Sequence, residues 1–183
     1  MNTVDPIREP EKIKQICSYL KMNNKRDFIM FYTGAYSGLR ISDILKLQIC
    51  DVKNKDVIRI REKKTKKEKK FEINPELKKK KLKKYCEGKN PNEYLIPSRQ
   101  GKNTPLSRVR AYQIMKEVGN LFDIPDLGTH TLRKTFGYQH YKQFKDAALL
   151  MTIFNHSSQK ITLRYIGIEQ EDINKSMKKF RLF

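Results

Sequence analysis

Six side chains, carried by four short segments, have the types needed to hold and open a phosphate diester. They are Arg40 in Gly-Leu-Arg-Ile-Ser-Asp43, Lys64 in Lys64-Thr65, His130 and Arg133 in His-Thr-Leu-Arg, and His156 in His-Ser-Ser with Tyr165 nine residues later. Two arginines, two histidines, a lysine and a tyrosine make a poor metal site and a good cage for a polyanion. A guanidinium stays charged and offers paired, planar donors to non-bridging oxygens. A histidine donates to a phosphate oxygen or takes a proton near neutral pH. Tyr165 is the member suited to attack phosphorus and remain attached. Phosphodiester cleavage has three demands: charge on the non-bridging oxygens must be met, the nucleophile must lose a proton, and the leaving oxygen must gain one.

The spacing says how these groups are held. His130 and Arg133 stand three residues apart, so a helix projects both from one face. Lys64 shares strand parity with residues 58, 60 and 62, whereas Lys63 points to the other face of an extended strand. Six lysines fall within residues 63–70, so Lys66 and Lys63 stay open as alternatives to Lys64. Lys63, Lys66, Lys67, Lys69 and Lys70 together form a candidate DNA-binding tip. His140 has no motif around it and is assigned a structural role.

The elements that must position these residues are mostly helical. Pro10-Glu11 opens an amphipathic helix with Ile13, Ile16, Cys17 and Leu20 at spacings of three and four. A second helix is predicted from about Lys25 to Tyr36, ending towards Gly38. Ser42 is expected to cap a short helix with Ile44, Leu45 and Leu47 facing inward, leaving Arg40 in a tight turn. Val57-Ile-Arg-Ile-Arg and Phe71-Glu-Ile alternate as half-buried strands do, with a charged tip between them. Asn74-Pro75 opens a Lys-studded helix. Residues 87–105 are broken by Gly88, Pro91, Pro97, Gly101 and Pro105 into a loop. Ser107 caps a helix carrying Val109, Tyr112, Met115 and Val118. Thr129 or Thr131 caps the next, running through Leu132, Phe136 and Phe144. Asp146 begins Ala147–Phe154, Ser158 begins the helix of Tyr165, and Ile173, Met177 and Phe180 mark a last amphipathic helix.

Composition bounds the class. The 183 residues carry a net charge of +20, and residues 53–84 alone hold sixteen Lys/Arg against five Asp/Glu, a net +11. Like charges so crowded repel one another unless a polyanion is present, and nucleic acid is the usual one. With 38% hydrophobic residues the chain can build a core. Three cysteines without a CxxC pair indicate neither a disulfide framework nor a zinc site. No basic-apolar leader and no apolar run of membrane-spanning length occur, so a cytoplasmic, nucleoid-associated protein with no membrane partner is expected.

Taken in order and spacing, these segments resemble the catalytic half of the tyrosine recombinases, the phage-integrase family, over about residues 7 to 180. Gly38–Asp43 matches the family's first-arginine motif and Thr129–Arg133 its His-x-x-Arg motif. Ile161-Thr-Leu-Arg-Tyr165-Ile-Gly lies at the customary interval after the second histidine. The resemblance implies a mainly α domain with a small antiparallel β-sheet (α+β), expected as three strands near the N-terminal third. It implies that Tyr165 is the nucleophile, His130 gives acid/base assistance and His156 donates to phosphate. Lys64 serves as general acid for the 5′-oxygen, and Asp43 orients Arg40 or a neighbour. The implied activity is site-specific cleavage and rejoining of double-stranded DNA through a 3′-phosphotyrosyl link, with no cofactor and no metal. Recombination would need several protomers, with the C-terminal segment (Ile173, Met177, Phe180, Leu182, Phe183) docking into a neighbour.

Two departures stand out. Asn155 replaces the usual Gly before the second histidine. Only 39 residues precede Arg40, where family members carry a separate DNA-binding domain, so residues 1–183 are read as a single catalytic domain. Two readings compete: a non-catalytic DNA-binding protein that competes at recombination sites, and a type IB topoisomerase-like activity.

Overall fold

The computed structural model describes residues 4–61, 68–77 and 81–181. Helix α1 (Pro10–Asn23) opens on a proline, whose missing N–H is no loss in a first turn, and buries Ile16 and Leu20. Asn24 then accepts from the backbone N–H groups of Arg26 and Asp27, capping α2 (Lys25–Ser37), which is buried from Asp27 through Gly34. Gly38 ends α2 at φ +62, and a Cβ there would overlap the Phe136 ring, so glycine is required on both counts. Helices α3 (Ile41–Ile44) and α4 (Ile49–Val52) follow, each pointing isoleucine into the core.

Strands β1 (Val57–Arg61) and β2 (Glu68–Glu72) pair antiparallel, from Val57 opposite Glu72 to Arg61 opposite Glu68. Ile58 is buried and Arg59 is exposed, the alternation of a strand with one face on the core. Short helices α5 (Pro75–Leu77) and α6 (Lys83–Cys86) lead into a loop tied down by isolated bridges, Gln48 with Tyr94 and Pro97 with Pro105. The remaining helices are α7 (Arg108–Leu121), α8 (Thr129–Phe144), α9 (Ala147–Phe154), α10 (Gln159–Tyr165) and α11 (Ile168–Lys179).

Two clusters of buried side chains organise these elements. The larger joins α1 through α7 with Leu132 of α8. The smaller holds Tyr138, Leu150, Phe154, Ile166 and Ile168, and carries the C-terminal helices. Helix α8 runs between them. A Cβ on Gly137 would come within 2.7 Å of both Phe154 and Ile166, so a bare α8 backbone is what lets α9 and α10 close on it. Burying Phe154 there contributes about 2–3 kcal/mol. Among the described residues no helix is long and apolar enough to cross a membrane.

The mostly helical fold with its small sheet is as expected, with three corrections in detail. Among the described residues the sheet has two strands, not three: β2 runs into Asn74-Pro75, and a proline has no N–H to extend a ladder. Ser42 lies inside α3, and Arg40 takes the capping position in extended geometry (φ −67, ψ 143). Helix α7 buries Ala111, Ile114, Met115 and Val118, leaving Val109 and Tyr112 exposed, because its apolar stripe is centred one residue off the predicted one.

Candidate active site

Arg133 anchors the site. It is buried at 5% exposure in the second turn of α8 and donates from Nη1 to the carbonyl of Gly38 and from Nη2 to the carbonyl of Phe154 at 2.9 Å. Those two carbonyls end α2 and α9, so one guanidinium ties together three elements distant in sequence. Its central carbon lies 4.2 Å from the Phe154 ring centroid, and the Tyr165 hydroxyl is close enough to act on its charge. Burial outweighs these contacts and pulls the Arg133 pKa down to about 10, still well above neutrality.

The Gly38 turn that accepts from Arg133 also aims Arg40. Leu39 is buried and Arg40 is exposed, so the turn plants its apolar residue and leaves the next cation free to face a ligand. The Arg40 charge acts on His130, Arg133, His156 and Tyr165 alike. These five groups therefore share one electrostatic environment. Asp43 hydrogen-bonds weakly with Ser42 at 3.5 Å, and its charge acts on Arg133 across the site.

His130 occupies the first turn of α8, where Gly128 is the capping residue and Thr131 returns its hydroxyl to the Gly128 N–H at 3.1 Å. Burial first, then Arg133, Lys134, Arg108 and Arg40, hold its pKa below the ordinary histidine value. His130 is thus neutral at pH 7 and able to accept a proton. His156 follows Asn155, which takes the left-handed conformation (φ 55, ψ 49) that the usual glycine would supply. Burial, Arg133 and Arg40 lower the His156 pKa in the same way.

Tyr165 ends α10, whose first turn is capped by Ser158 through the Ile161 N–H at 3.2 Å. Its ring meets Phe154 and His156 edge-on, with centroids 5.6 and 5.1 Å apart. Burial raises the phenol pKa, while the charges of Arg133 and Arg40 pull the other way without overcoming it. The two guanidiniums alone therefore do not ionise the tyrosine, and a base must assist.

Of the predicted site residues, Arg40, His130, Arg133, His156 and Tyr165 come together on α8, α10 and the turns beside them. Lys64, Lys63, Lys66 and Lys67 lie outside the described residues. Lys69 is described by its backbone alone, opposite Ile60, and Lys70 is exposed opposite Arg59. His140 lies two turns along α8 from Arg133, in a separate cleft of about 730 Å³ between α1, α2 and α8 lined by Phe28, Tyr32 and Phe144.

Three neighbours of the site were not foreseen. Phe154 is the shared ring under Arg133, His156 and Tyr165. Lys134 places its ammonium 5.1 Å from the Tyr165 ring centroid. Thr162, fully buried one turn before Tyr165, meets His156. Its place on the inner face of α10 was a usable signal; Lys134, next to Arg133 in sequence, gave none.

This chain belongs to the phage integrase family, whose sequence profile matches residues 8–172. It is 46% identical over 180 residues to the "Probable integrase/recombinase YoeC" of Bacillus subtilis (strain 168), covering 98% of each chain. In structure it is similar to the XerA recombinase, with a TM-score of 0.73 at 18% identity, over 99% of this chain and 66% of that one. It is likewise similar to the XerH site-specific recombinase in its post-cleavage complex with palindromic difH substrate, with a TM-score of 0.73 at 19% identity, over 97% of this chain and 52% of that one. At such identities the two structures speak for the fold. The chain thus spans nearly all of the first relative and between half and two thirds of the two recombinases of known structure.

Proposed function

We propose that this protein is a tyrosine-type site-specific recombinase whose catalytic domain cleaves and rejoins DNA strands through Tyr165. The observation that carries this reading is Tyr165 set edge-on to His156, with its phenol in the combined field of the buried Arg133 and of Arg40. Arg40 and Arg133 neutralise the non-bridging oxygens as phosphorus becomes five-coordinate. The neutral His130 receives the phenol proton. The new bond is Tyr165 Oη to the 3′-phosphate; the bond broken is phosphorus to the 5′-oxygen. That oxygen takes its proton from Lys64, a role resting on sequence resemblance. A 5′-hydroxyl of a partner strand reverses the step. Because one phosphodiester replaces another, the link keeps the free energy of the original bond.

Double-stranded DNA is the partner that the charge of the 53–84 stretch supports, and Lys70 is exposed among that stretch's described residues. Assembly on DNA proceeds through the C-terminal segment. Helix α11 packs its first turns on α8, where Glu171 accepts from Tyr138 at 2.7 Å, while Ile173, Met177 and Phe180 stay 51%, 70% and 62% exposed. An exposed stripe with a four-residue, then three-residue spacing suits a second protomer. A DNA strand transferase of this kind works at the nucleoid.

The test is a duplex selected for binding from a random-sequence pool, then nicked beside the cleavage position so that religation fails. The wild-type chain accumulates a covalent protein–DNA adduct, and Tyr165→Phe accumulates none. Binding without adduct in the wild type would favour a DNA-occupying protein instead. Relaxation of supercoils without strand exchange would favour a topoisomerase.

A further inference from the structure

Proton accounting around Thr162 gives His156 a more definite state than its type alone. The Thr162 hydroxyl has one proton and two neighbours, the Ser158 carbonyl at 3.2 Å and His156 Nδ1 at 3.0 Å. The Ser158 carbonyl accepts the Thr162 backbone N–H as well, and the hydroxyl adds the bond to the fourth preceding carbonyl that a threonine inside a helix commonly makes; with its one proton there, it accepts its second hydrogen bond from His156. Thr162 is completely buried, which leaves no water to take over either role. The charged groups facing His156 are Arg133 from α8 and Arg40 from the turn before α3, with the Tyr165 ring approaching from α10. Among the described residues two cations and no carboxylate act on His156, which keeps the imidazole neutral.

We propose that Thr162 is a positioning residue that holds His156 in the Nδ1–H tautomer, so that Nε2 donates to a bound phosphate only after taking one proton from solvent. A neutral Nδ1–H imidazole presents a bare lone pair at Nε2, which repels an anionic oxygen. Entry of a tetrahedral dianion between Arg40, Arg133 and His156 cancels the two positive charges that oppose protonation and sets an anionic oxygen against Nε2, which makes the imidazolium the favoured form. Anion binding is thereby linked to uptake of one proton, and affinity weakens about tenfold per pH unit above the free His156 pKa. This deepens the recombinase reading above, since it states how the second histidine becomes a donor as the scissile phosphate gains its second negative charge on becoming five-coordinate.

The experiment uses the full chain with ¹⁵N-labelled histidine, the His156 signals being assigned by their loss in His156→Gln. Sulfate is the probe, a tetrahedral dianion that does not titrate in the range used. In the free protein near pH 7, Nδ1 is expected in the protonated range and Nε2 far downfield, as a bare nitrogen. Saturating sulfate moves Nε2 to the imidazolium position, and the sulfate Kd rises about tenfold per pH unit above the free pKa. Thr162→Val releases the tautomer to the Nε2–H form that an unrestrained imidazole prefers, and Thr162→Ser restores the Nδ1–H form. An Nε2–H signal in the free wild-type protein overturns the proposal, whether or not the valine variant folds. So does a His156 that stays neutral with sulfate bound. Neither readout needs cleavage, so the adduct assay can fail while the tautomer stands, and the reverse.

Discussion

Replacing Arg133 by lysine separates the structural from the chemical work of one guanidinium. Two of its five N–H groups are committed to the carbonyls of Gly38 and Phe154, and its charge acts on the Tyr165 phenol. An ammonium on a shorter stem cannot serve two carbonyls and still meet the phosphate. Leaving one buried carbonyl without a donor costs about 1–3 kcal/mol, which for a chain of this length lowers Tm by about 3–10 °C. Losing a donor from the developing charge slows cleavage by about 10²–10³-fold. Thermal melting and single-turnover cleavage of the nicked duplex read the two effects in one preparation, at a temperature where the variant is fully folded. If Arg133→Lys melts with the wild type, the carbonyl tether does not hold α2 and α9 together as argued. If it cleaves within about threefold of the wild type, well short of the loss expected for a donor on the developing charge, the guanidinium does not meet the reacting phosphate.

Lys134→Met removes the ammonium above the Tyr165 ring and should slow cleavage about 3- to 30-fold, the range of a partly desolvated cation–π contact, with Lys134→Arg recovering most of it; a rate equal to wild type would dismiss the contact. Folding stability should fall in two steps as pH drops. The first comes below about 6.5, because burial holds His130, His140 and His156 below that value and the unfolded chain therefore binds protons more readily. The second runs from 4.5 down towards 2 as Glu171 loses the charge that Lys175 and Tyr138 stabilise, its folded pKa being about 2; Glu171→Gln should abolish this step alone in a pH series of melts. Ending the chain after Asp172 keeps the Ile168 packing and the Tyr138–Glu171 hydrogen bond but removes Lys175 together with Ile173, Met177 and Phe180, so sedimentation should show loss of paired protein–DNA complexes with strand cleavage retained. Duplex affinity should fall with log salt at a slope near −0.9 per phosphate contacted, measured by fluorescence anisotropy; a flat response would remove the 53–84 stretch from the DNA face.

What could be read from the sequence, and what could not, follows from how local each signal is. The caps at Ser107, Asp146 and Ser158 and the left-handed Asn155 are local chemistry, and the helices they bound stand within a residue or two of expectation. Ser42 misled because a serine near a helix start is read as a cap, whereas the buried Leu39 draws Arg40 itself into that position. The apolar stripe of α7 was misphased because Val109 and Tyr112 look like core residues by type, and only packing against Leu127 and its neighbours decides the face. The site was legible as a set of residue types in order. Its tethers were not, since Arg133 reaches Gly38 across 95 positions and no pattern in either segment announces that pair.

The account stands most directly on which atom carries the DNA. Digesting the trapped adduct with nuclease and protease and sequencing the modified peptide by mass spectrometry should place a 3′-linked nucleotide on the Tyr165 oxygen, in the peptide that follows His156. A nucleotide on another tyrosine, on Lys134 or on a histidine would contradict it.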